Sequence, residues 1–522
     1  MIRVRHYGKG EWGVESDRYS PALRNAARGT PGLRWEPSAR AWVGYIDAVE
    51  ACASVMKAAG LRLDESEMAA SPTTATTLPI SFERSRDYQR EAISFVVKEA
   101  PTGCLLALDM RLGKTHCALR AARATRAKTL VVCPSFVKGV WEEETKLWWP
   151  TAKVQTLEGV KPNGAALTAD VIIVNYDIVH AWAERLLEAG IRVLILDEVH
   201  ALQSEKSRRS KACKELAKAC AWKIGLSGTP MLNRPKDLWN VIDTLSEGRM
   251  GGFFPYALRF CDAKREEVAK NKTVWLFDGS SNLEELNRRL SRFMFRRTRA
   301  DVSSELPPRT RQVVDVDVGK KFRVEPSLAL ADNSSLRRAL DLAADGKLPD
   351  VVDLVRSHVD DGVRCVVFTH RRAVAEDVCA KLVSEGVDAV FVHGELARKT
   401  REARIKSKAR VLCATIDSTG VGIDLSMFDV AVFAELDWVP SKLAQAEARL
   451  FNFESKKDIF IQYVIARGTA DDIIRKACIT KLDAFEAAIG KTDDGLRKDL
   501  KGLEDGGAAA LSRLYAKLME AT

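Results

Sequence analysis

Gly113-Lys114-Thr115 follows an apolar run, Cys104-Leu105-Leu106-Ala107-Leu108, and precedes a helical pattern from His116 to Arg126. A strand that ends in a short loop and then starts a helix turns backbone N–H groups and the helix N-terminus toward one spot, which makes a cradle for phosphate oxygens. In such a cradle Lys114 is expected to reach the β- and γ-phosphates of a nucleotide and Thr115 to hold Mg²⁺. The strict pattern asks for glycine where Leu108 stands, so the same residues also read as a helix that merely begins with Gly-Lys-Thr.

A second group narrows the choice. Val193-Leu194-Ile195-Leu196 delivers Asp197-Glu198-Val199-His200 at the carboxyl end of an apolar strand. One carboxylate there can hold the Mg²⁺ water shell, assigned to Asp197, and the next can polarise an attacking water, assigned to Glu198. The other reading is an acidic pair solvated in a loop. Two unpaired carboxylates after four buried aliphatics would then need another reason. Together the two groups indicate ATP hydrolysis with Mg²⁺ as cofactor.

Both groups require a buried parallel sheet, and the chain supplies the pattern for two. From about 81 to 247, fully apolar runs alternate with helical stretches, including Thr129-Leu130-Val131-Val132-Cys133, Val171-Ile172-Ile173-Val174 and Lys223-Ile224-Gly225-Leu226. Such runs mark strands covered by helices on both faces. An arginine-rich segment at 248–318 interrupts the rhythm and is expected to be a helical insertion and the inter-lobe segment. A second alternating series occupies 319–487, with strands such as Arg364-Cys365-Val366-Val367-Phe368 and Arg410-Val411-Leu412-Cys413. Residues 1–65, with Trp12, Trp35 and Trp42 and a helix expected from Ile46 to Ala59, read as a small α/β module. The small polar stretch 66–80 reads as a linker, and 488–522 as a charged helical tail.

Composition agrees with a soluble globular chain of two or three domains: 522 residues, 46% hydrophobic and 29% charged, with no run apolar enough to span a membrane. The start, Met1-Ile2-Arg3-Val4-Arg5-His6, lacks the apolar core of a signal peptide, so a cytoplasmic chain is expected, in a bacterial nucleoid or a phage-infected cell. Eleven cysteines lie singly without a Cys-x-x-Cys pair, which argues for small buried hydrophobes and against a zinc site or disulfides. A net charge of +10 favours a polyanionic partner, with a merely basic surface as the alternative.

At this point a resemblance becomes specific. Asp197-Glu198-Val199-His200, a DEAH-like box, with Leu226-Ser227-Gly228-Thr229-Pro230, Tyr88-Gln89 ahead of the loop, and Arg296-Arg297-Thr298-Arg299 with Glu305-Leu306-Pro307-Pro308-Arg309 resemble, in order, the motifs of the SNF2 family of superfamily 2 helicase-like ATPases. His393-Gly394, Ser418-Thr419-Gly420-Val421-Gly422-Ile423-Asp424-Leu425 and Gln445-Ala446-Glu447-Ala448-Arg449 continue the series, which covers residues 82–475. Phe433-Ala434-Glu435-Leu436-Asp437-Trp438-Val439-Pro440 is similar to the annealing-helicase-like, or HARP-like and SMARCAL-like, subgroup, and Arg34-Trp35-Glu36-Pro37 with Ala41-Trp42 to its small accessory modules. The tryptophans also read simply as the core of a small domain.

The resemblance implies two tandem RecA-like lobes and a DNA-dependent ATPase that translocates on duplex or forked DNA in remodelling, replication, recombination or repair, as a monomer. It implies ATP contacts at Arg86, Gln89, Met110, Leu112, Gly113, Lys114, Thr115, Gly422 and Asp424, with Gln89 at the adenine edge. It places Gln445 and the arginine finger Arg449 at the catalytic site, and DNA contacts at Ser135, Asn175, Tyr176, Ser227, Thr229, His370, Ser418 and Thr419. In three places the chain departs from the family: Asp109 and Arg111 in the loop, and Asn452 where a second arginine is usual. The last leaves open an ATP-gated DNA clamp with weak turnover. A motor subunit of a restriction or defence system is the remaining alternative.

Overall fold

The computed structural model describes residues 2–8, 10–70, 78, 80–162, 164, 166–231, 234–269, 272–299, 301–302, 309–330, 332–419, 423–450, 459–489 and 500. Gly420, Gly422, Asn452 and the 305–308 part of the inter-lobe motif lie outside them. The chain folds as two compact units, the first running to Arg297 and the second from Thr298 to Glu486.

The first unit opens with β1 (Ile2–Gly8), β2 (Glu11–Ser16), helix α1 (Pro21–Arg28), β3 (Arg34–Glu36), β4 (Ala41–Tyr45), α2 (Ile46–Ala58), β5 (Leu63–Asp64) and the short α3 (Ser66–Ala70). The strands form a sheet in the order β3-β4-β2-β1-β5, and its inward residues Val4, Trp12 and Val14 pack on Leu23, Val49, Cys52 and Met56 of α1 and α2. Pro21 and the Ser20 hydroxyl, which accepts from Leu23 N, fix where α1 starts. Trp12 fills this core, whereas Trp35 is 48% exposed against Trp42.

Next come α4 (Asp87–Glu99), β6 (Cys104–Leu108), α5 (Lys114–Thr125), β7 (Thr129–Cys133), α6 (Lys138–Trp148), β8 (Val154–Thr156), β9 (Val171–Asn175), α7 (Val179–Glu188), β10 (Val193–Asp197), α8 (Arg208–Ala219), β11 (Trp222–Leu226) and α9 (Lys236–Leu245). The segment expected to be a helical insertion contains α10 (Phe253–Phe260), an antiparallel hairpin of β12 (Lys264–Ala269) and β13 (Lys272–Leu276), α11 (Leu283–Leu290) and β14 (Met294–Arg297). The main sheet runs β14-β6-β11-β10-β7-β9-β8 and is parallel throughout. Burial of both faces explains why β6, β7, β9 and β10 read as unbroken apolar runs.

In the second unit β15 (Arg309–Val316) precedes α12 (Pro326–Ala329), α13 (Asn333–Asp360), β16 (Cys365–Thr369), α14 (Arg372–Ser384), β17 (Ala389–Val392), α15 (Arg398–Ile405), β18 (Val411–Thr415), β19 (Val430–Phe433), α16 (Pro440–Ala448), β20 (Ile459–Ala466) and α17 (Ala470–Ile489). Its sheet, β15-β20-β19-β16-β18-β17, is again wholly parallel. Helices cover both faces, with Phe368, Phe433 and Tyr463 in one core layer and Val352, Val367 and Val432 in the other. Two tandem parallel sheets flanked by helices are the architecture expected of RecA-like lobes.

One boundary moves. The stretch 248–318 is not a separate insertion: β14 completes the first sheet and β15 begins the second. Each strand is short or polar (Met-Phe-Arg-Arg; Arg-Thr-Arg-Gln at its start), so neither shows the apolar run that marks a central strand. All eleven cysteines are buried and unpaired, and no helix among the described residues is long and apolar enough to cross a membrane.

Candidate active site

Lys114 and the acidic pair meet at the carboxyl ends of β6 and β10, separated in the sheet by β11. The loop between β6 and α5 turns through Arg111 at φ +62° and Gly113 at φ +83°. Gly113 is required twice over: its backbone is left-handed, and a Cβ there would stand 2.5 Å from Gln89 Nε2. Gln89 Nε2 donates to the Leu112 carbonyl (3.2 Å), Tyr88 Oη donates to the same oxygen (3.2 Å), and Gln89 Oε1 accepts from Arg86 N (3.0 Å). Tyr88-Gln89 thus clamps the loop to the start of α4, and Arg86 enters through its backbone. Leu112 is fully buried, while Met110 and Thr115 are partly exposed at the loop. Lys114 Nζ donates to the carbonyls of Leu108 (2.8 Å) and Asp109 (3.3 Å), which pins the ammonium to the loop it serves.

Asp197 is gripped from several elements. Its Oδ2 accepts from the Trp141 indole N–H at 2.8 Å, its Oδ1 from Glu198 N at 3.0 Å, and its carbonyl from Tyr176 Oη at 2.8 Å. Burial, then the neighbouring Glu198 charge, pushes its carboxyl up to about 7, against the pull of Trp141 and Lys114. Glu198 takes a left-handed backbone, φ +47°, a strained state that costs about 1–3 kcal/mol in a non-glycine residue and gathers at working sites. Its Oε2 is buried and accepts no hydrogen bond among the described residues, although His200 Nδ1 lies 3.3 Å away. The distance allows attraction, but the geometry is not that of a hydrogen bond. A buried carboxylate oxygen without a donor, next to the Asp197 carboxylate, suits a hard cation with its water ligands, as Mg²⁺ requires.

His200 Nδ1 also stands 3.4 Å from Ser227 Oγ, which in turn accepts from Thr229 N at 3.1 Å. A Cβ on Gly228 would lie 3.3 Å from Lys114 Nζ, so the Ser-Gly-Thr turn abuts the phosphate loop. Ser227, expected among the DNA contacts, turns its side chain to these groups. It is fully buried, and its hydroxyl joins the acidic box to the turn. The side chains of Tyr176 and Ser418, expected among the DNA contacts too, are likewise engaged within the protein. The Tyr176 hydroxyl braces Asp197, and Ser418 Oγ donates to the carbonyls of Thr415 (2.7 Å) and Val392 (3.3 Å). Asn175 is buried and donates to Asp177 (3.3 Å). Ser135 is exposed at its strand end and Thr229 partly so; the Thr419 side chain lies outside the described residues.

In the second unit, Gln445 lies on α16 and Arg449 follows its last turn, buried, with its carbonyl accepting from Leu425 N (3.0 Å). Between them Glu447 is wholly buried. The Arg311 guanidinium grips it with two bonds (2.7 and 2.6 Å), and Tyr463 Oη donates to it at 2.6 Å. His370 Nδ1 meets Asp437 Oδ2 at 3.0 Å, and that bond raises the imidazole above its ordinary range. Asp424 is exposed and accepts from Ser426 N (3.1 Å). Trp141, Arg311 and Glu447 were missed in the sequence. Trp141 lies on α6, far along the chain from the box it serves, and nothing in its local pattern marks an indole whose N–H is spent on a carboxylate.

Residues 88–323 match the SNF2-related domain, and residues 346–453 the helicase conserved C-terminal domain. The chain is 30% identical over 411 residues to the SWI/SNF-related matrix-associated actin-dependent regulator of chromatin subfamily A-like protein 1 of Xenopus tropicalis, spanning 74% of this chain and 43% of that protein. Its Caenorhabditis elegans homolog is 28% identical over 518 residues, 90% of this chain and 74% of that protein. The DNA annealing helicase and endonuclease ZRANB3 of Mus musculus is 28% identical over 455 residues, 80% of this chain and 41% of that protein. The chain thus spans about two fifths of the length of the Xenopus and mouse relatives. The Sulfolobus solfataricus SWI2/SNF2 ATPase core in complex with dsDNA covers 82% of this chain and 95% of that one at 20% identity and TM-score 0.40, too loose a likeness to add to the strand order above. With both domains matched in tandem and relatives of the SMARCAL-like and ZRANB3 kind, the chain belongs to the SNF2 family of helicase-like ATPases.

Proposed function

We propose that this protein is an ATP-driven translocase on duplex or forked DNA, of the kind that remodels DNA in replication, recombination or repair. The observation that carries the reading is the braced Asp197–Glu198 pair beside Lys114 in one parallel sheet. A buried acidic pair next to a phosphate loop is built for metal-assisted attack of water on a phosphoryl group. Lys114 and the Gly113 loop take the phosphates, Thr115 and Asp197 hold Mg²⁺, and Glu198 orients the water. Gln89 fixes the loop against α4, so the adenine edge is met with the loop already in register. Arg449 supplies the finger, and Gln445 lies on α16, the helix that Arg449 caps.

DNA is the partner that agrees with the net charge of +10 and with the relatives' names. Exposed Ser135, partly exposed Thr229, His370 and the main chain around Asn175 and Ser418 are the groups offered to a phosphate backbone, which positions a motor without reading sequence. The test is steady-state ATP hydrolysis with no nucleic acid, duplex DNA, forked DNA, single-stranded DNA and RNA, beside Lys114→Ala. Stimulation by duplex or forked DNA that Lys114→Ala abolishes is the expected result. Hydrolysis indifferent to every polymer would refute the translocase reading.

A further inference from the structure

The module of residues 1–65 sits on the motor lobe through a buried charge cluster that no catalytic role explains. Asp47, in the first turn of α2, is met by Arg249 Nη2 at 3.1 Å and by Arg289 Nε at 3.0 Å, and the three side chains are 1%, 3% and 1% exposed. Arg289 also donates to the Arg249 carbonyl (3.0 Å), and the Arg249 guanidinium lies over the rings of Tyr45 and Phe293 at 5.0 and 5.2 Å. At the edge Arg292 pairs with Glu50. Two buried guanidinium groups share one carboxylate, and Arg249 Nε and Arg289 Nη1 find no hydrogen-bond acceptor among the described residues. The cluster is short of negative charge, so its arginines depend on the module's single Asp47.

The contact lies at the root of the phosphate loop. Arg289 lies in the last turn of α11, and four residues later the Phe293 carbonyl accepts from Leu105 N of β6 (2.9 Å). From Met294 to Arg297, β14 pairs in register with Leu105 to Leu108, and the Arg297 carbonyl accepts from Asp109 N (3.0 Å), the first residue of the loop. One continuous hydrogen-bonded strip therefore joins the Asp47 cluster to the loop. A second contact tightens the seat: a Cβ on Gly32 of the module would stand 2.3 Å from the Arg249 carbonyl.

We infer that the 1–65 module is a brace for the nucleotide site, with Asp47 a positioning residue that holds the phosphate loop in its binding shape through α11 and β14. Seating the module raises ATP affinity before any DNA is present. This rests on the reading that the Lys114 loop binds ATP.

The experiment measures, in full-length protein without DNA, the Kd of a fluorescent ATP analogue for wild type, Asp47→Asn, Gly32→Val, Lys114→Ala and a triple Asp47→Leu/Arg249→Leu/Arg289→Met. Hydrogen exchange across α2 reports whether the module is seated. Asp47→Asn and Gly32→Val are expected to unseat it and weaken binding about 5- to 10-fold, within the usual range for coupled sites. The apolar triple, which removes the charges together, should seat the module and bind as wild type does. If Asp47→Asn does not fold, Gly32→Val alone decides, since it wedges the interface at the Arg249 carbonyl while keeping every charge of the cluster present. An unseated module with unchanged Kd overturns the inference, as does a seated triple variant that binds as weakly as Asp47→Asn. Wild-type affinity in Lys114→Ala would instead count against the nucleotide-site reading itself.

Discussion

Replacing Trp141 with phenylalanine isolates one hydrogen bond to Asp197, the carboxylate proposed to hold Mg²⁺. The indole N–H donates to Asp197 Oδ2 at 2.8 Å from a side chain only 1% exposed, so solvent cannot replace it. A hydrogen bond to a charged group contributes about 1.5–3 kcal/mol, against about 0.5–1.5 for one between neutral groups. Loss of an outer partner of a metal ligand typically costs about 10- to 100-fold in metal affinity, which agrees with the first figure at 1.4 kcal/mol per decade. Trp182 provides the control. It is as deeply buried in the same lobe and donates to a neutral acceptor, the Gly159 carbonyl, at 2.9 Å. Steady-state hydrolysis titrated with Mg²⁺ at fixed ATP should show half-saturation raised about 10- to 100-fold in Trp141→Phe. Trp182→Phe should lose comparable thermal stability and keep the wild-type Mg²⁺ curve. The reasoning fails if the two variants shift the Mg²⁺ curve equally, because packing rather than the carboxylate bond would then be responsible.

Gly113→Ala places a Cβ in a left-handed backbone and against Gln89 Nε2; the strain of about 1–2 kcal/mol should weaken ATP binding roughly tenfold, measured by nucleotide titration. Arg311→Met strands the buried Glu447 carboxylate and is expected to destabilise the second lobe by about 3–5 kcal/mol in urea unfolding, while Arg311→Met with Glu447→Leu recovers most of the loss. His370 is raised by its bond to Asp437, and Asp437, although burial pushes it up, is held below its ordinary value by His370 and Lys442. The histidine's contribution to stability is therefore full below about pH 6.5 and is lost as pH rises through the raised value, and the aspartate's is lost in acid. Urea midpoints of wild type and His370→Gln should differ most between about pH 5 and 6.5 and converge in alkali; a gap that widens with pH would contradict the pairing.

Most of the sheet scaffold was legible because parallel strands buried on both faces must be apolar along their length, as Val193–Leu196 and Val171–Val174 are. The loop and acidic box were legible for a chemical reason: phosphate and metal admit few side chains at fixed spacing. What the sequence hid was the long-range bracing. Tyr176 and Ser227 sit at motif positions that suggest surface contact, and only the folded lobe shows their hydroxyls turned inward on Asp197 and His200. The edge strands β14 and β15 escaped because a strand at a sheet margin need not be apolar, and their arginines mimic a solvated helix.

The placement of β14 also sets an order of assembly. Until residues 294–297 have been synthesised, β6 is the margin of its sheet, and Cys-Leu-Leu-Ala-Leu, apolar at every position, offers an open row of backbone donors and acceptors. The strand that carries the phosphate loop therefore waits nearly two hundred residues for its last neighbour, a non-local pairing of the kind that folds slowly. A nascent or truncated first lobe ending near residue 247 would display that strand to other copies of itself and associate. Fragments of this lobe should stay in solution only when their C-terminus lies beyond Arg297.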